Sequence, residues 1–198
     1  MELKNYQKRV LRDLDSYMAL LNSTQNLYAA YNQHWEAKGV YVGMTGLQPY
    51  NDVLPNVPHV CFKVPTGGGK TLLACASMKH IFDAMGMMKT KAVVWLVPST
   101  TILEQTLRDL RNPDHPYRQQ INYDFGSRVE IYDGTQALNG QSLSPSSVRE
   151  NLSIFVLSYD ALRIRKKEGR KVYQENGNLA QFVPHYTDRD ALIPEVDE

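Results

Sequence analysis

A run of eight residues, Val64-Pro65-Thr66-Gly67-Gly68-Gly69-Lys70-Thr71, carries the clearest chemical signal in the sequence. Three consecutive glycines can adopt positive φ angles and bring backbone N–H groups close to phosphate oxygens. A helix that begins near Gly69 adds its free N–H groups and the positive end of its dipole. Lys70 then reaches the β- and γ-phosphates, and the Thr71 hydroxyl binds Mg²⁺. The run therefore predicts a phosphate-binding loop, with Val64 where the plain form of the motif has glycine.

Four short apolar segments alternate with helical patterns along the chain, and this alternation predicts βαβ units. The segments are mostly continuous apolar runs, as expected for parallel strands that are buried on both faces. The expected fold is therefore α/β, with a parallel sheet flanked by helices. We expect its strands at His59–Val64, Lys91–Val97, Arg128–Tyr132 and Ser153–Leu157.

Apolar residues at steps of three and four predict helices before and between these strands. The first two helices form an N-terminal helical segment, in which Ser23 or Thr24 is expected to cap the second helix. The third follows the glycine run and ends near Met85. We expect helices at Leu3–Leu21, Leu27–Trp35, 69–85, Thr100–Arg111 and Tyr159–Arg163.

Composition and length limit the class of protein. The chain has 198 residues, 42% of them hydrophobic, and a formal net charge of +1, so it can bury a core and is not expected to be disordered. No apolar run approaches the roughly 20 residues of a membrane helix, and two cysteines cannot form a disulfide framework or a zinc site. We expect a cytoplasmic protein with no membrane segment. Its expected parts are N-terminal helices with a Pro/Gly-rich loop (1–57), a nucleotide-binding domain (58–165) and a polar tail (166–198).

The phosphate-loop run resembles motif I of DEAD/DEAH-type helicases, in particular of the helicase (Res) subunit of type III restriction enzymes. Leu3-Lys4-Asn5-Tyr6-Gln7 resembles the N-terminal Tyr-Gln element of that family, and Val94–Thr100 resembles motif Ia. Ile154–Leu162 resembles the strand and turn that carry a later DNA-contacting motif. The resemblance implies a RecA-like P-loop NTPase, with ATP and Mg²⁺ as cofactors, DNA as a weak and non-specific partner, and a modification methyltransferase subunit in the intact system.

The resemblance also implies roles for individual residues. Gln7 reads the adenine edge, and Thr71 is the Mg²⁺ ligand. Lys70 and Thr71 are the catalytic candidates. Six residues bind the nucleotide phosphates: Thr66, Gly67, Gly68, Gly69, Lys70 and Thr71. Seven contact nucleic acid: Ser99, Thr100, Ser158, Arg163, Arg165, Lys166 and Lys167.

Plainer interpretations of these residues stay open at this point. Gln7 is equally well a surface glutamine. Ser99 and Thr100 follow a strand that ends in proline, which suits a nucleic-acid phosphate, but either hydroxyl also makes an ordinary helix N-cap. Ser158 is open to the same interpretation. The basic cluster at 163–171 is either a DNA backbone contact or a solvated loop.

ATP hydrolysis in this family needs an Asp-Glu pair at the end of a buried strand. The only Asp-Glu pair here is Asp197-Glu198, and Pro194 just before it cannot donate to a central ladder. We therefore expect the chain to be a fragment, the leading part of a first motor domain, that turns over little ATP alone. The expected function is the ATP-binding part of a DNA-dependent ATPase, helicase or translocase of a restriction or phage-defence system. A non-catalytic nucleotide- or DNA-binding module and a P-loop kinase remain alternatives.

Overall fold

A computed structural model of the chain describes residues 2–86, 90–140 and 142–159, which contain seven helices and three strands. The chain divides into two compact units, Met1–Met88 and Lys89–Glu198. The first unit is helical and the second carries the sheet. Among the described helices, none is both long and apolar enough to cross a lipid bilayer.

The first unit has three helices, and the longest of them packs against the other two. The buried face of this longest helix consists of residues at steps of three and four, among them Leu11, Leu14 and Met18. Leu11 packs with Leu73 and with Val64, the residue that opens the phosphate-loop run, in one buried cluster. The helices are α1 (Asn5–Thr24), α2 (Leu27–Glu36) and α3 (Lys70–Ala84).

Two predictions in this unit are wrong. The second helix is capped by Asn26, whose side chain accepts a hydrogen bond from the Ala29 N–H at 2.9 Å, because α1 continues through Ser23 and Thr24. The segment His59–Val64 is not a strand, since no residue of it joins a β-ladder in the described part of the chain. An apolar sequence makes a strand only when a neighbour takes its backbone hydrogen bonds.

The second unit contains a three-stranded parallel sheet, in which the last described strand of the chain lies between the other two. The central strand is buried along most of its length, as the continuous apolar pattern predicts. The predicted strands two, three and four are confirmed with shifts of one residue or less at each end. The elements are β1 (Lys91–Val97), α4 (Thr100–Arg111), α5 (Pro116–Phe125), β2 (Val129–Tyr132), α6 (Gly134–Asn139), α7 (Pro145–Glu150) and β3 (Leu152–Ser158).

Two arginines cover the outer edge of β2. Arg118 Nη2 donates to the Val129 carbonyl at 2.9 Å, and Arg111 Nη2 donates to the Ile131 carbonyl at 3.4 Å. The Arg128 carbonyl instead accepts from Leu152 N, so alternate carbonyls of this segment face away from β3. Guanidinium groups on these outward carbonyls block the addition of a further strand, the usual hazard of an exposed sheet edge.

Candidate nucleotide-binding site

The glycine run forms a tight turn that leads directly into α3. Gly67 has φ +74° and Gly69 has φ +68°, so the positive φ angles predicted for this run occur at two of its three glycines. Gly68 N donates to the Pro65 carbonyl at 3.0 Å. A Cβ on Gly68 would lie 2.6 Å from Val64 Cγ1 and 2.9 Å from the Pro65 carbonyl oxygen. Each position therefore has its own steric reason to be glycine.

The first turn of α3 leaves backbone donors without partners. Gly69 is the N-cap and has no side chain to accept from them. The first hydrogen bond that enters the helix runs from Leu73 N to the Gly69 carbonyl, at 3.0 Å. Within the described residues, the N–H groups of Gly69, Lys70 and Thr71 reach no acceptor. Such donors, at the positive end of the helix dipole, make a ready anion site.

The Lys70 ammonium lies beside the same turn. Its Nζ donates to the Pro65 carbonyl at 3.3 Å, which places the cation next to the glycine backbone. Thr66 is exposed on the turn, and Thr71 is half-buried in the first turn of α3. The six residues assigned to the phosphates from the sequence are thus contiguous in one loop and one helix start.

Gln7 lies on α1 against this loop. Its Nε2 donates to the Gly68 carbonyl at 3.2 Å, and its Oε1 accepts from Lys4 N at 2.9 Å. Gln7 is 3% exposed, so its interpretation as a surface glutamine is wrong. The neighbouring Tyr6 hydroxyl donates to the same Gly68 carbonyl. Sequence reasoning missed this contact of Tyr6, because the partners are 62 residues apart and no local pattern joins them.

Two contacts hold α1 to α3 far from the loop. His80 Nδ1 on α3 lies 2.6 Å from Asp15 Oδ1 on α1, and Asn22 Nδ2 donates to the Ala84 carbonyl at 2.7 Å. Together with the buried cluster around Leu11, they fix the direction of α3 relative to α1. The side chains of Tyr6 and Gln7 therefore meet the loop from a rigid support.

The candidate nucleic-acid residues of the second unit lie at one edge of the sheet. Ser158 is the register partner of Val97, and Ser99 follows Val97 by two residues. Parallel strands present their carboxyl ends together, so Ser99, Thr100 and Ser158 share this edge. Ser99 Oγ accepts from Ile102 N at 3.4 Å and caps α4, which confirms the capping interpretation.

Other predicted residues lie outside the part of the chain that the structure describes. They include most of the predicted helix Tyr159–Arg163 and the only Asp-Glu pair, Asp197-Glu198. The same holds for the basic candidates Arg163, Arg165, Lys166 and Lys167.

A polar cluster that the sequence reasoning overlooked lies at the end of β2. The Asp133 carboxylate caps α6 by accepting from Gln136 N at 3.0 Å, and it also accepts from Arg111 Nη2 at 3.1 Å. Partial burial acts to raise the pKa of Asp133, but the Gln136 N–H and the Arg111 guanidinium outweigh it, so the pKa is lower than usual. The spacing Asp133-x-x-Gln136 is a capping-box signature and was available from the sequence.

A glycine loop that opens a helix, followed by Lys-Thr and joined to a chain with a parallel sheet, defines the class of P-loop NTPases. The model of the family described as type III restriction enzyme, res subunit, matches residues 1–184. The chain belongs to this family. No curated protein and no solved structure matches it.

Membership in the family supports several general statements. The chain contains a P-loop NTPase domain of the helicase and ATPase type found in restriction enzymes. Proteins of this class generally use ATP and Mg²⁺, and helicase motors interact with nucleic acid. The resemblance stated from the sequence is therefore confirmed at the level of the family.

Proposed function

We propose that this chain is the ATP-binding part of a DNA-dependent ATPase, helicase or translocase. The observation that carries the proposal is that the N–H groups of Gly69, Lys70 and Thr71, which reach no acceptor among the described residues, lie beside the Lys70 ammonium. Backbone donors, a helix dipole and a cation that converge on one turn suit a triphosphate better than any neutral ligand.

The loop residues fit the phosphates and the metal of MgATP. Lys70 would exchange its bond to the neutral Pro65 carbonyl for a bond to a negatively charged phosphate oxygen, in which donor and acceptor carry opposite charges. The Thr71 hydroxyl, in the first turn of α3, would hold Mg²⁺. The bound nucleotide and its metal supply the phosphoryl chemistry, while this loop binds and orients the phosphates.

Gln7 is a candidate reader of the base. Its amide uses one N–H for Gly68 and one oxygen lone pair for Lys4, which leaves one donor and one acceptor. One donor beside one acceptor complements the N6/N7 edge of adenine, whereas guanine presents two acceptors there. Because Gln7 is 3% exposed, base binding has to uncover its side chain.

DNA is proposed to bind at the carboxyl edge of the sheet. Ser99 and Thr100 at the start of α4 offer hydroxyls and backbone donors to a phosphate backbone, and the buried Ser158 lies at the same edge of the sheet. Arg163, Arg165, Lys166 and Lys167 would add a non-specific and salt-dependent attraction. We further propose that the motor acts in the cytoplasm in a restriction or phage-defence system, alongside a methyltransferase subunit.

Calorimetric titration of the chain with MgATP tests the nucleotide site. Lys70→Ala removes a charge-assisted contact and is expected to weaken binding by about 10- to 150-fold. Lys79→Ala is the matched control, because Lys79 lies on the same helix and pairs with Asp83 at 2.6 Å. Its affinity should equal that of the wild type. Equal affinities for wild type and Lys70→Ala would refute the assignment.

Turnover measurements separate the motor from the alternatives. Hydrolysis of ATP that rises on addition of DNA indicates a motor, while MgATP binding with little hydrolysis is the result expected of the ATP-binding part of a motor or of a binding module. Phosphoryl transfer to a small acceptor would indicate a kinase.

A further inference from the structure

Two side chains of α1 hold one backbone carbonyl just before the start of α3. The Gly68 carbonyl accepts from the Tyr6 hydroxyl and from Gln7 Nε2. Gly68 precedes Gly69, the left-handed N-cap of α3, so its carbonyl lies outside the hydrogen-bond ladder of the helix. The first bond into α3 runs from Leu73 N to the Gly69 carbonyl. The Gly68 carbonyl is therefore oriented by side chains of α1 and not by α3.

The direction of the Gly68 carbonyl decides the direction of the next N–H. All described peptide bonds are trans, and a trans peptide places its C=O and N–H on opposite sides. When Tyr6 and Gln7 hold the Gly68 carbonyl toward α1, the Gly69 N–H must point away from them. A carbonyl that turned the other way would present its negative end to a phosphate and withdraw that donor.

We propose that Tyr6 is a positioning residue of the phosphate loop. Its hydroxyl keeps the Gly68 carbonyl away from the bound anion, so that the Gly69 N–H faces the anion beside the N–H groups of Lys70 and Thr71. This inference rests on the proposed function of the loop as a triphosphate site. It assigns a role in phosphate binding to a residue other than the lysine, the threonine and the glycines of the motif.

The surroundings of Tyr6 suit this role. The Tyr6 ring packs against the buried cluster of Leu11, Val64, Leu73 and Ala76, and this packing fixes its position. A Cβ on Gly68 would lie 3.4 Å from the Tyr6 hydroxyl oxygen, which shows how closely the side chain approaches the loop. A phenol on a packed ring has few rotatable bonds, and ordering it therefore costs little entropy.

The test compares three probes on the wild-type chain and on Tyr6→Phe: MgATP, inorganic tripolyphosphate and adenosine. Loss of one hydrogen bond to the loop should weaken MgATP and tripolyphosphate to the same extent, about three- to tenfold. Adenosine, followed by ligand-observed NMR, should bind unchanged. A variant that only damages folding would weaken all three probes, because each needs the folded chain.

Tyr17→Phe is the matched control. Tyr17 lies on the same helix, and its buried hydroxyl reaches no hydrogen-bond partner in the described residues. Removal of that hydroxyl should leave the binding of all three probes unchanged. A loss of tripolyphosphate affinity in Tyr17→Phe equal to that in Tyr6→Phe would overturn the inference, since it would show a general effect of α1.

Failure of the inference and failure of the proposed function give different results. If Tyr6→Phe binds tripolyphosphate as tightly as wild type while Lys70→Ala binds it weakly, only the role of Tyr6 is overturned. An equal loss of adenosine affinity in Tyr6→Phe also overturns that role. If wild type and Lys70→Ala bind tripolyphosphate equally, or neither binds it, the loop is not a triphosphate site and both proposals fail.

Discussion

The helices α3 and α4 both start shortly after a proline, yet their first turns are built differently. The N-cap of α3 is Gly69, which is left-handed and has no side chain to offer. The N-cap of α4 is Ser99, in an extended conformation with φ −146°, and its hydroxyl accepts from Ile102 N. The first-turn N–H groups of α3 therefore have no acceptor from an N-cap side chain, and a bound anion can supply one.

The start of α6 is the most completely capped of the three helix starts. Asp133 and Gln136 form a reciprocal capping box, and Arg111 adds a cation to the Asp133 carboxylate. The helix dipole already faces an anion there, supplied by the protein itself. From α3 to α4 to α6 the helix start is capped increasingly by the protein's own side chains, and we expect it to bind an external phosphate correspondingly less well.

The largest expected effect within this comparison is at Gly68. In Gly68→Ala the new Cβ meets Val64 Cγ1 at 2.6 Å and the Pro65 carbonyl oxygen at 2.9 Å, so the turn must shift. Strain of this kind costs on the order of 1–3 kcal/mol, and we expect MgATP affinity to fall by roughly 10- to 100-fold in calorimetry. Gly126→Ala, at a positive φ with open space around it, is the control for general destabilisation. An unchanged affinity for Gly68→Ala would mean that the turn geometry does not matter for binding.

A smaller effect is expected at the cap of α4. Ser99→Ala removes the acceptor for Ile102 N and should lower the free energy of unfolding by about 0.5–1 kcal/mol in urea titrations. Its MgATP affinity should stay at the wild-type value. Ser99→Asp sharpens the comparison, because aspartate caps as well as serine but repels a DNA phosphate. If Ser99→Asp keeps both stability and DNA affinity, Ser99 is a cap only.

The smallest effect concerns the pH dependence at α6. The pKa of Asp133 is lower in the folded chain than its ordinary value of about 4, so the charged carboxylate stabilises the fold. This contribution is present above that ordinary value and is lost as the pH falls through the lower folded pKa. Asp133→Asn keeps a cap but cannot titrate, and its unfolding free energy should fall less steeply below about pH 5. Parallel curves for the two proteins between pH 2 and pH 5 would contradict this account.

Local sequence pattern was sufficient to predict much of the secondary structure of the second unit and the residues of the phosphate loop. The bounds of β1 and α4 agree with those predicted, because an apolar run of strand length and a repeat of 3.6 residues are properties of consecutive residues. The glycines, Lys70 and Thr71 could be assigned for the same reason. The short helices α5, α6 and α7 were missed, although His115-Pro116 and Ser144-Pro145 each place a cap before a proline at the first helical position.

What the sequence determined by itself was therefore the chemistry of the loop and the identity of the local elements. Tertiary structure decided that His59–Val64 forms no strand, that β3 lies between β1 and β2, and that Gln7 is buried against Gly68. It also decided that the Tyr6 hydroxyl holds the carbonyl that directs the Gly69 N–H. These features depend on partners distant along the chain, and hydrogen bonds between distant residues leave no periodic trace in either segment.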